Sequence, residues 1–283
     1  MKVAAALREA AERLAGVSDT ARLDAELLMA EALGVSRSEL LLRYMEDEEP
    51  KAFGAMVERR KRHEPVVYII GRQEFFGREF RVTPEVLIPR ADSETTISAA
   101  LEACADSVRV LDLGTGSGAL LLTVLAERPG AEGVGTDRSP AALAVARGNA
   151  ERLGLAERCE LFERDWTRAG WAEDLGRFDL VLANPPYVEV DADLGPSVRD
   201  YEPAGALFSG REGLDDYRIL IPQLPGLLAQ GGVAVVEIGA SQSDMVIEIA
   251  EQAGFSAELH KDLAARPRAL VLRLGLGKDK LAR

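Results

Sequence analysis

The sequence predicts an α/β protein: a seven-stranded, doubly wound, mainly parallel sheet preceded by a small all-α amino-terminal domain and joined to it by a β-hairpin. Three observations predict it. From about residue 108 onward, short apolar runs alternate with helical patterns, as a parallel sheet covered on both faces requires. The first 74 residues carry mostly helical periodicity. A glycine-rich loop closes the first apolar run of the alternating region. At 283 residues the chain is long enough for two domains, with boundaries read at 1–74 (helical), 75–90 (hairpin linker) and 91–283 (sheet domain).

In the helical part, Val3, Leu7, Ala10 and Leu14 recur at helical spacing before Gly16. A second helix, capped by Asp19 or Thr20, carries Leu23, Leu27 and Ala30 and stops at Gly34. Ser36 and Glu39 have the spacing of a capping box. A fourth helix from roughly Lys51 to His63 ends in Arg59, Arg60, Lys61 and Arg62, whose cations suit the helix dipole and which read as a solvated face, with a docking role as the alternative. After Pro65 the period changes, and Val66–Ile70 and Phe75–Val82 read as the extended arms of a hairpin around Gly77. The apolar run Val86-Leu87-Ile88 then ends in Pro89-Arg90, with Asp92, Ser93 or Glu94 opening a helix through Leu101.

Seven strands are expected at Val108–Leu113, Gly133–Asp137, Cys159–Arg164, Phe178–Ala183, Val233–Ile238, Phe255–His260 and Ala269–Leu274. The best-marked helix between them starts at Ser139-Pro140, a cap followed by proline in the first turn, where the missing N–H costs nothing.

Composition narrows the function. The net charge of −13 argues against a broad electrostatic grip on nucleic acid or an anionic membrane. Cys104, Cys159, His63 and His260 match no metal or redox spacing, so no metal site is expected. No signal-peptide core and no bilayer-spanning run is visible, which places the protein in the cytoplasm.

The densest chemistry is Asn184-Pro185-Pro186-Tyr187, at the carboxyl end of the fourth strand, the edge where open α/β sheets bind ligands. Asn184 offers an amide that accepts and donates. The prolines fix φ and remove two backbone donors, leaving the Pro185 carbonyl as an acceptor in a stiff loop. Tyr187 adds a flat apolar face. Together they suit a planar NH2 group, with an acceptor for each hydrogen and an aromatic wall beside it. Turn chemistry alone also favours Asn and Pro at such a place.

The second motif, Asp112-Leu113-Gly114-Thr115-Gly116-Ser117-Gly118, lets a nucleotide lie close to the backbone. Gly114-x-Gly116-x-x-Ala119 with Asp137 also fits a dinucleotide fingerprint, so glycine spacing does not choose between a nicotinamide cofactor and S-adenosyl-L-methionine (SAM). A dehydrogenase wants an acid or base near its hydride, and no histidine or lysine marks one. Asp165-Trp166, closing the third strand, offers an acceptor and an apolar face to an adenine ring.

Asp112–Gly118, Asp137, Asp165-Trp166 and Asn184–Tyr187 together resemble a class I SAM-dependent methyltransferase, a Rossmann-like fold, of the kind that methylates amino groups. The tetrad is shared by enzymes acting on adenine N6 and on glutamine N5. Upstream, Glu74-Phe75-Phe76-Gly77, Val82-Thr83-Pro84 and Val86–Glu94 resemble the hairpin and Ile-Pro-Arg signature of the bacterial release-factor glutamine N5-methyltransferases, the HemK/PrmC type. Ala91 stands where that signature usually has proline, and Ala265 and Pro267 where it tends to have glycine and aspartate.

The resemblance implies methyl transfer from SAM, with S-adenosyl-L-homocysteine as product, to the glutamine of the Gly-Gly-Gln loop in peptide chain release factors. It implies that Gly114, Thr115, Gly116, Ser117 and Gly118 receive the methionine and ribose portion, Asp137 the ribose hydroxyls, and Asp165 with Trp166 the adenine. Asn184, Pro185, Pro186 and Tyr187 would hold the substrate amide, with Asn184 also beside the cofactor, and Asn184, Pro185 and Tyr187 acting in the transfer. The helical domain would hold the release factor, with the enzyme a monomer touching neither nucleic acid nor membrane. An adenine N6-methyltransferase would need a basic face and a base-flipping pocket, against which the net charge argues. A nicotinamide oxidoreductase would leave the tetrad unexplained, and a non-catalytic SAM-binding module would not need both motifs intact.

Overall fold

The computed structural model describes residues 1–104 and 108–275, which form two compact units. One comprises Met1–Arg72 together with Leu194–Glu202, the other Gln73–Asp193 and the chain from Pro203 onward.

The first unit is helical: α1 (Val3–Leu14), α2 (Ala21–Leu33), a single turn α3 (Arg37–Glu39) running into a π-helical segment at Leu40–Tyr44, α4 (Phe53–Lys61) and α5 (Val66–Ile70). The capping box is present, since Ser36 Oγ accepts from Glu39 N while the Glu39 carboxylate accepts from Ser36 N. Gly34 ends α2 at φ 68°, in the left-handed region that a side chain resists. Val3, Leu7, Leu14, Leu28, Met29 and Phe53 share one core. The basic run at the end of α4 is largely paired: Arg59 with Glu64, Lys61 with Glu58, and Arg60 buried against Asp24 at 2.7 Å. Arg60 also donates to Ser197 Oγ at 3.1 Å, within the returning segment that contains α9 (Pro196–Arg199).

One expectation fails here. Val66–Ile70 is a helix, not the first arm of a hairpin. Its β-branched residues favour a strand locally, but Pro65 starts a turn, Gly71 closes it at φ 77°, and Tyr68 and Ile69 gain burial as a helical pair. The hairpin is formed by β1 (Arg72–Phe75) and β2 (Arg78–Arg81) alone. Its turn residues Phe76 and Gly77 both have positive φ, the geometry that matches the twist of flanking strands. Phe75 and Phe80 meet edge to face at 6.2 Å.

In the second unit the seven expected runs all form strands of one sheet: β3 (Arg109–Leu113), β4 (Glu132–Asp137), β5 (Cys159–Glu163), β6 (Phe178–Ala183), β7 (Leu228–Glu237), β8 (Phe255–Lys261) and β9 (Pro267–Leu274). The order is β5-β4-β3-β6-β7-β9-β8, parallel throughout except that β9 runs antiparallel to both its neighbours, β7 and β8. Each central strand alternates between two cores. Val110, Leu180, Leu182 and Val235 face one layer, Leu111, Val181, Ala183 and Val236 the other. The helices are α6 (Glu94–Ala103), α7 (Ala119–Glu127), α8 (Pro140–Arg152), α10 (Ala204–Leu207), α11 (Asp215–Leu220), α12 (Leu224–Leu227) and α13 (Ser243–Gln252). Ser139 caps α8 as expected, its Oγ accepting from Ala142 N at 3.2 Å.

From β3 the chain runs outward through β4 to β5 and then returns to β6 on the other side. Leu113 pairs with Thr136 on one flank and Ala183 on the other, so three carboxyl ends finish level at the point where the strand order reverses. No helix among the described residues is long and apolar enough to cross a membrane.

Candidate active site

A cavity of about 270 Å³ opens at this edge. Its floor is the loop after β3. Gly114 N and Thr115 N both donate to the Thr136 carbonyl at 2.8 Å, which staples the loop to the end of β4. Gly114 has φ 73°, and a Cβ there would lie 3.1 Å from the Trp166 ring, so glycine is required on two counts. At Gly118, φ 82°, a Cβ would stand 2.9 Å from Leu122 Cδ1 at the start of α7.

Asp137, at the end of β4, accepts from Gly116 N and Ser139 N, one on each carboxylate oxygen, at 2.9 Å. Its carboxylate is fixed in direction while keeping lone pairs for hydroxyl donors. Asp165 accepts from the Thr167 hydroxyl and amide, which hold its carboxyl below the ordinary range. The Trp166 indole donates to Asp216 Oδ1 at 3.1 Å, and its carbonyl accepts from Gln223. Asp165 and Trp166 lie just past β5, which ends two residues short of Asp165.

The tetrad leaves β6 at the same edge. Asn184 and Pro186 line the cavity together with Gly114, Thr115, Gly116, Ser117, Asp137, Asp165 and Trp166; Pro185, Tyr187 and Gly118 stand outside its lining. The half-buried Asn184 side chain makes no hydrogen bond among the described residues, so its amide is available to a ligand. Tyr187 packs against the core, and burial, reinforced by Glu237, pushes its phenol pKa far up. It remains a neutral aromatic. The loop Glu85–Arg90 closes the cavity on the hairpin side, so the Ile-Pro-Arg stretch does reach the site.

Several side chains that sequence reasoning missed build this arrangement. Asp112 is buried under the loop, holds the Thr115 hydroxyl at 2.6 Å, and has its pKa pushed up to about 7 by burial. Its place in the glycine motif was a signal that could have found it. Asn149, buried on α8, accepts from Arg81 N and donates to the carbonyls of Arg81 and Ser117, tying hairpin to loop. Gln242 donates to the Tyr187 carbonyl at 3.0 Å. Glu237 ends β7 next to β6, buried and with its pKa pushed up to about 7 by burial, against the hydroxyls of Ser93 and Thr96.

Among the described residues no group of three His, Cys, Asp or Glu side chains is arranged to hold a metal. A cationic organic ligand suits the cavity instead. Among the described residues the Asp112 carboxylate oxygen Oδ1 makes no hydrogen bond of good geometry, the Leu121 amide lending the carboxylate only partial support, and burial without a countercharge opposes its ionisation. A positively charged group above the loop would relieve both.

Residues 5–71 match the family model of the PrmC N-terminal domain, and residues 105–203 match a methyltransferase domain. The release factor glutamine methyltransferase of Cereibacter sphaeroides is 44% identical over 97% of this chain and 99% of its own. The chain belongs to the release factor glutamine methyltransferase family. Other members are 42% identical in Geobacter sulfurreducens, over 84% of each chain, and 40% identical in Moorella thermoacetica, over 96% of this chain and 98% of that one. A methyltransferase structure from Pyrococcus furiosus shares the fold, with a TM-score of 0.51 at 17% identity over 70% of this chain and 89% of that one. The family and its methyltransferase domain imply a SAM-type methyl donor, whose sulfonium and ammonium groups carry positive charge of the kind the Asp112 floor calls for.

Proposed function

We propose that this enzyme transfers the methyl group of SAM to the side-chain amide N5 of the glutamine in the Gly-Gly-Gln motif of peptide chain release factors, leaving S-adenosyl-L-homocysteine and supporting translation termination. The observation that carries the reading is the position of Asn184: an amide unpaired among the described residues at the end of β6, one residue beyond the Leu113–Ala183 pairing that aligns it with the glycine loop. Cofactor floor and amide acceptor lie side by side.

When bound, SAM supplies an electrophilic methyl on a sulfonium. The chain's own residues do the rest. Gly114 to Gly118 present backbone to the methionine and ribose, Asp137 accepts from the ribose hydroxyls, and Asp165 and Trp166 hold the adenine. Asp112 supplies negative charge beneath the ligand.

A carboxamide nitrogen is a poor nucleophile because its lone pair is shared with the carbonyl. Asn184 Oδ1 and the Pro185 carbonyl accept its two hydrogens, aim the nitrogen at the methyl, and favour the charge that gathers there during transfer. Pro186 stiffens the loop, and Tyr187 walls the amide plane. Orientation of this kind is worth roughly 7–11 kcal/mol at best; as the N–CH3 bond forms and the S–CH3 bond breaks, the charge on nitrogen makes its hydrogens acidic and one leaves as a proton to water, so no side chain need act as a strong base.

Residues 1–74 would grip the body of the release factor, 75–90 bridge, and 91–283 carry out the transfer, in a monomeric cytoplasmic enzyme. A separate docking surface supplies specificity that one small loop could not. The test is a transfer assay with labelled SAM, offering release factor, the same factor with its Gly-Gly-Gln glutamine changed to alanine, and duplex DNA. Label on the first alone supports the reading; label on DNA would move the enzyme to adenine N6 chemistry.

A further inference from the structure

The indole that walls the cofactor and the loop that follows the substrate tetrad are joined by an unbroken run of hydrogen bonds. Trp166 Nε1 donates to Asp216 Oδ1 at 3.1 Å. The other carboxylate oxygen, Oδ2, accepts from Ser209 Oγ at 2.7 Å, and Ser209 Oγ in turn accepts from Asp216 N at 2.8 Å. Ser209 N donates to the Val188 carbonyl at 2.9 Å, while Val188 N donates to the Leu207 carbonyl at 2.8 Å. Val188 is the residue after Tyr187, and its bridge to Phe208 makes the exit of the tetrad a one-residue parallel ladder.

Every link is short and mostly sheltered. Ser209 is 2% exposed, so water does not compete well for its hydroxyl. Asp216 uses both oxygens, one for each half of the site, and cannot turn to serve one without releasing the other. Two strangers in sequence, Trp166 and Val188, therefore share one carboxylate as their common support.

We propose that Asp216, with Ser209, is a positioning pair that couples the two halves of the site, so that cofactor and release factor each bind more tightly when the other is present. The inference rests on the proposed roles of Trp166 and the tetrad. An adenine against Trp166 fixes the indole, hence Asp216, hence Ser209 and Val188; a glutamine amide held by the tetrad fixes the same chain from the other end. Whichever ligand binds first bears the cost of ordering, and the second finds the support already set. The effect is reciprocal, because a coupling between two binding equilibria has a single value.

The test uses the full-length enzyme and S-adenosyl-L-homocysteine, which binds without turnover. Its dissociation constant is measured by calorimetry alone and with saturating release factor, for the natural enzyme, Ser209→Ala and Trp166→Phe. Ser209→Ala breaks the run in the middle and Trp166→Phe at the indole, and neither touches Asn184–Tyr187. The expected ratio of the two constants is about fivefold or more in the natural enzyme, the lower end of ordinary allosteric couplings. In both variants it falls to within about twofold of unity. General damage would weaken binding and leave the ratio standing, so a retained ratio in a folded variant overturns the proposal, as does a ratio of one in the natural enzyme. If Ser209→Ala does not fold, Trp166→Phe decides alone. The labelled-SAM assay on the same preparation separates the two failures: label on the glutamine with a ratio of one sinks the coupling only, whereas no label sinks the substrate reading and the coupling with it.

Discussion

Gln242 Nε2 donates to the Tyr187 backbone carbonyl at 3.0 Å, and this bond fixes the last residue of the tetrad to the turn after β7. The same nitrogen reaches the Gly213 carbonyl at 3.2 Å, while Gln242 Oε1 accepts from Gly239 N at 3.1 Å. Gly213, at φ 66°, packs its Cα so closely on the Tyr187 carbonyl that no side chain could replace the hydrogen. The tetrad is thus clamped from behind by groups that never meet a ligand in the cavity.

Gln242→Ala should therefore impair transfer more than cofactor binding. Leaving a half-buried carbonyl without its donor costs about 1 kcal/mol, the low end of the range for buried groups. Where that loss loosens the geometry needed only in the transition state, turnover drops by up to roughly tenfold. The expected result is a reduced kcat on release factor with the SAM dissociation constant within about twofold of the natural value, the pattern of an interaction that acts only in the transition state. An unchanged kcat would remove Gln242 from the site.

Asn184→Ala should act more severely. Its amide is unpaired among the described residues and stands at the cavity, where the proposed reading gives it the substrate amide as partner. Removing one fixed dipole aimed at a reacting group typically lowers turnover by about 10²–10³-fold. SAM binding, which the proposed reading assigns to the glycine loop, Asp137 and Trp166, should be largely kept in calorimetry. Loss of binding and turnover together would mean that Asn184 chiefly builds the cofactor pocket.

Asp112 gives the cofactor affinity a pH dependence with a defined sign. Its folded-state pKa is raised by burial to about 7, so below that pH the carboxyl is largely protonated and neutral. A cationic ligand favours the ionised form and must displace the proton to gain the charge pair. Affinity for SAM should therefore be full above about pH 7 and weaken as pH falls, by up to about tenfold per unit. Asp112→Asn should bind more weakly at pH 8 and lose this part of the slope. A parallel decline in both proteins would assign the titration to another group.

The elements legible in sequence are those whose cause is local. The parallel strands announced themselves as apolar runs because both faces are buried, as in β6, where only Asp179 among six residues is exposed. The cap at Ser139, the capping box at Ser36 and the glycine turn at Gly114 follow from residues within a few positions of one another. Val66–Ile70 was illegible because a short β-branched run is read as extended until its packing partners are known. In the site, Asp137 and Asn184 were legible from motif spacing. Asn149, Asp216 and Gln242 were not, since each ties the site to at least one residue 50 or more positions away. Supporting side chains of this kind carry no local pattern.

Ala265 shows a local departure with a measurable cost. In the turn between β8 and β9 it sits at φ 60°, the left-handed region, where an alanine loses about 1–2 kcal/mol that a glycine does not. The turn tolerates this because Asp262 over-determines it: Oδ1 accepts from Ala264 N and Arg266 N, both at 2.9 Å, and Oδ2 from Arg266 Nε at 2.8 Å. These bonds, the Arg266 amide first, hold the Asp262 carboxyl down to about 2, so the staple is fully charged at neutral pH. Glycine would relieve the strain but return about 0.4–1 kcal/mol to the unfolded chain as entropy. The net expectation for Ala265→Gly is a gain between about 0 and 1.6 kcal/mol, each kcal/mol corresponding to roughly 2–4 °C in melting temperature for a chain of this size. Because the turn lies outside the cavity lining, transfer to release factor should be unaffected. A lower melting temperature would mean that the Asp262 staple removes the strain at Ala265 and that the chain has no reason left to prefer glycine there.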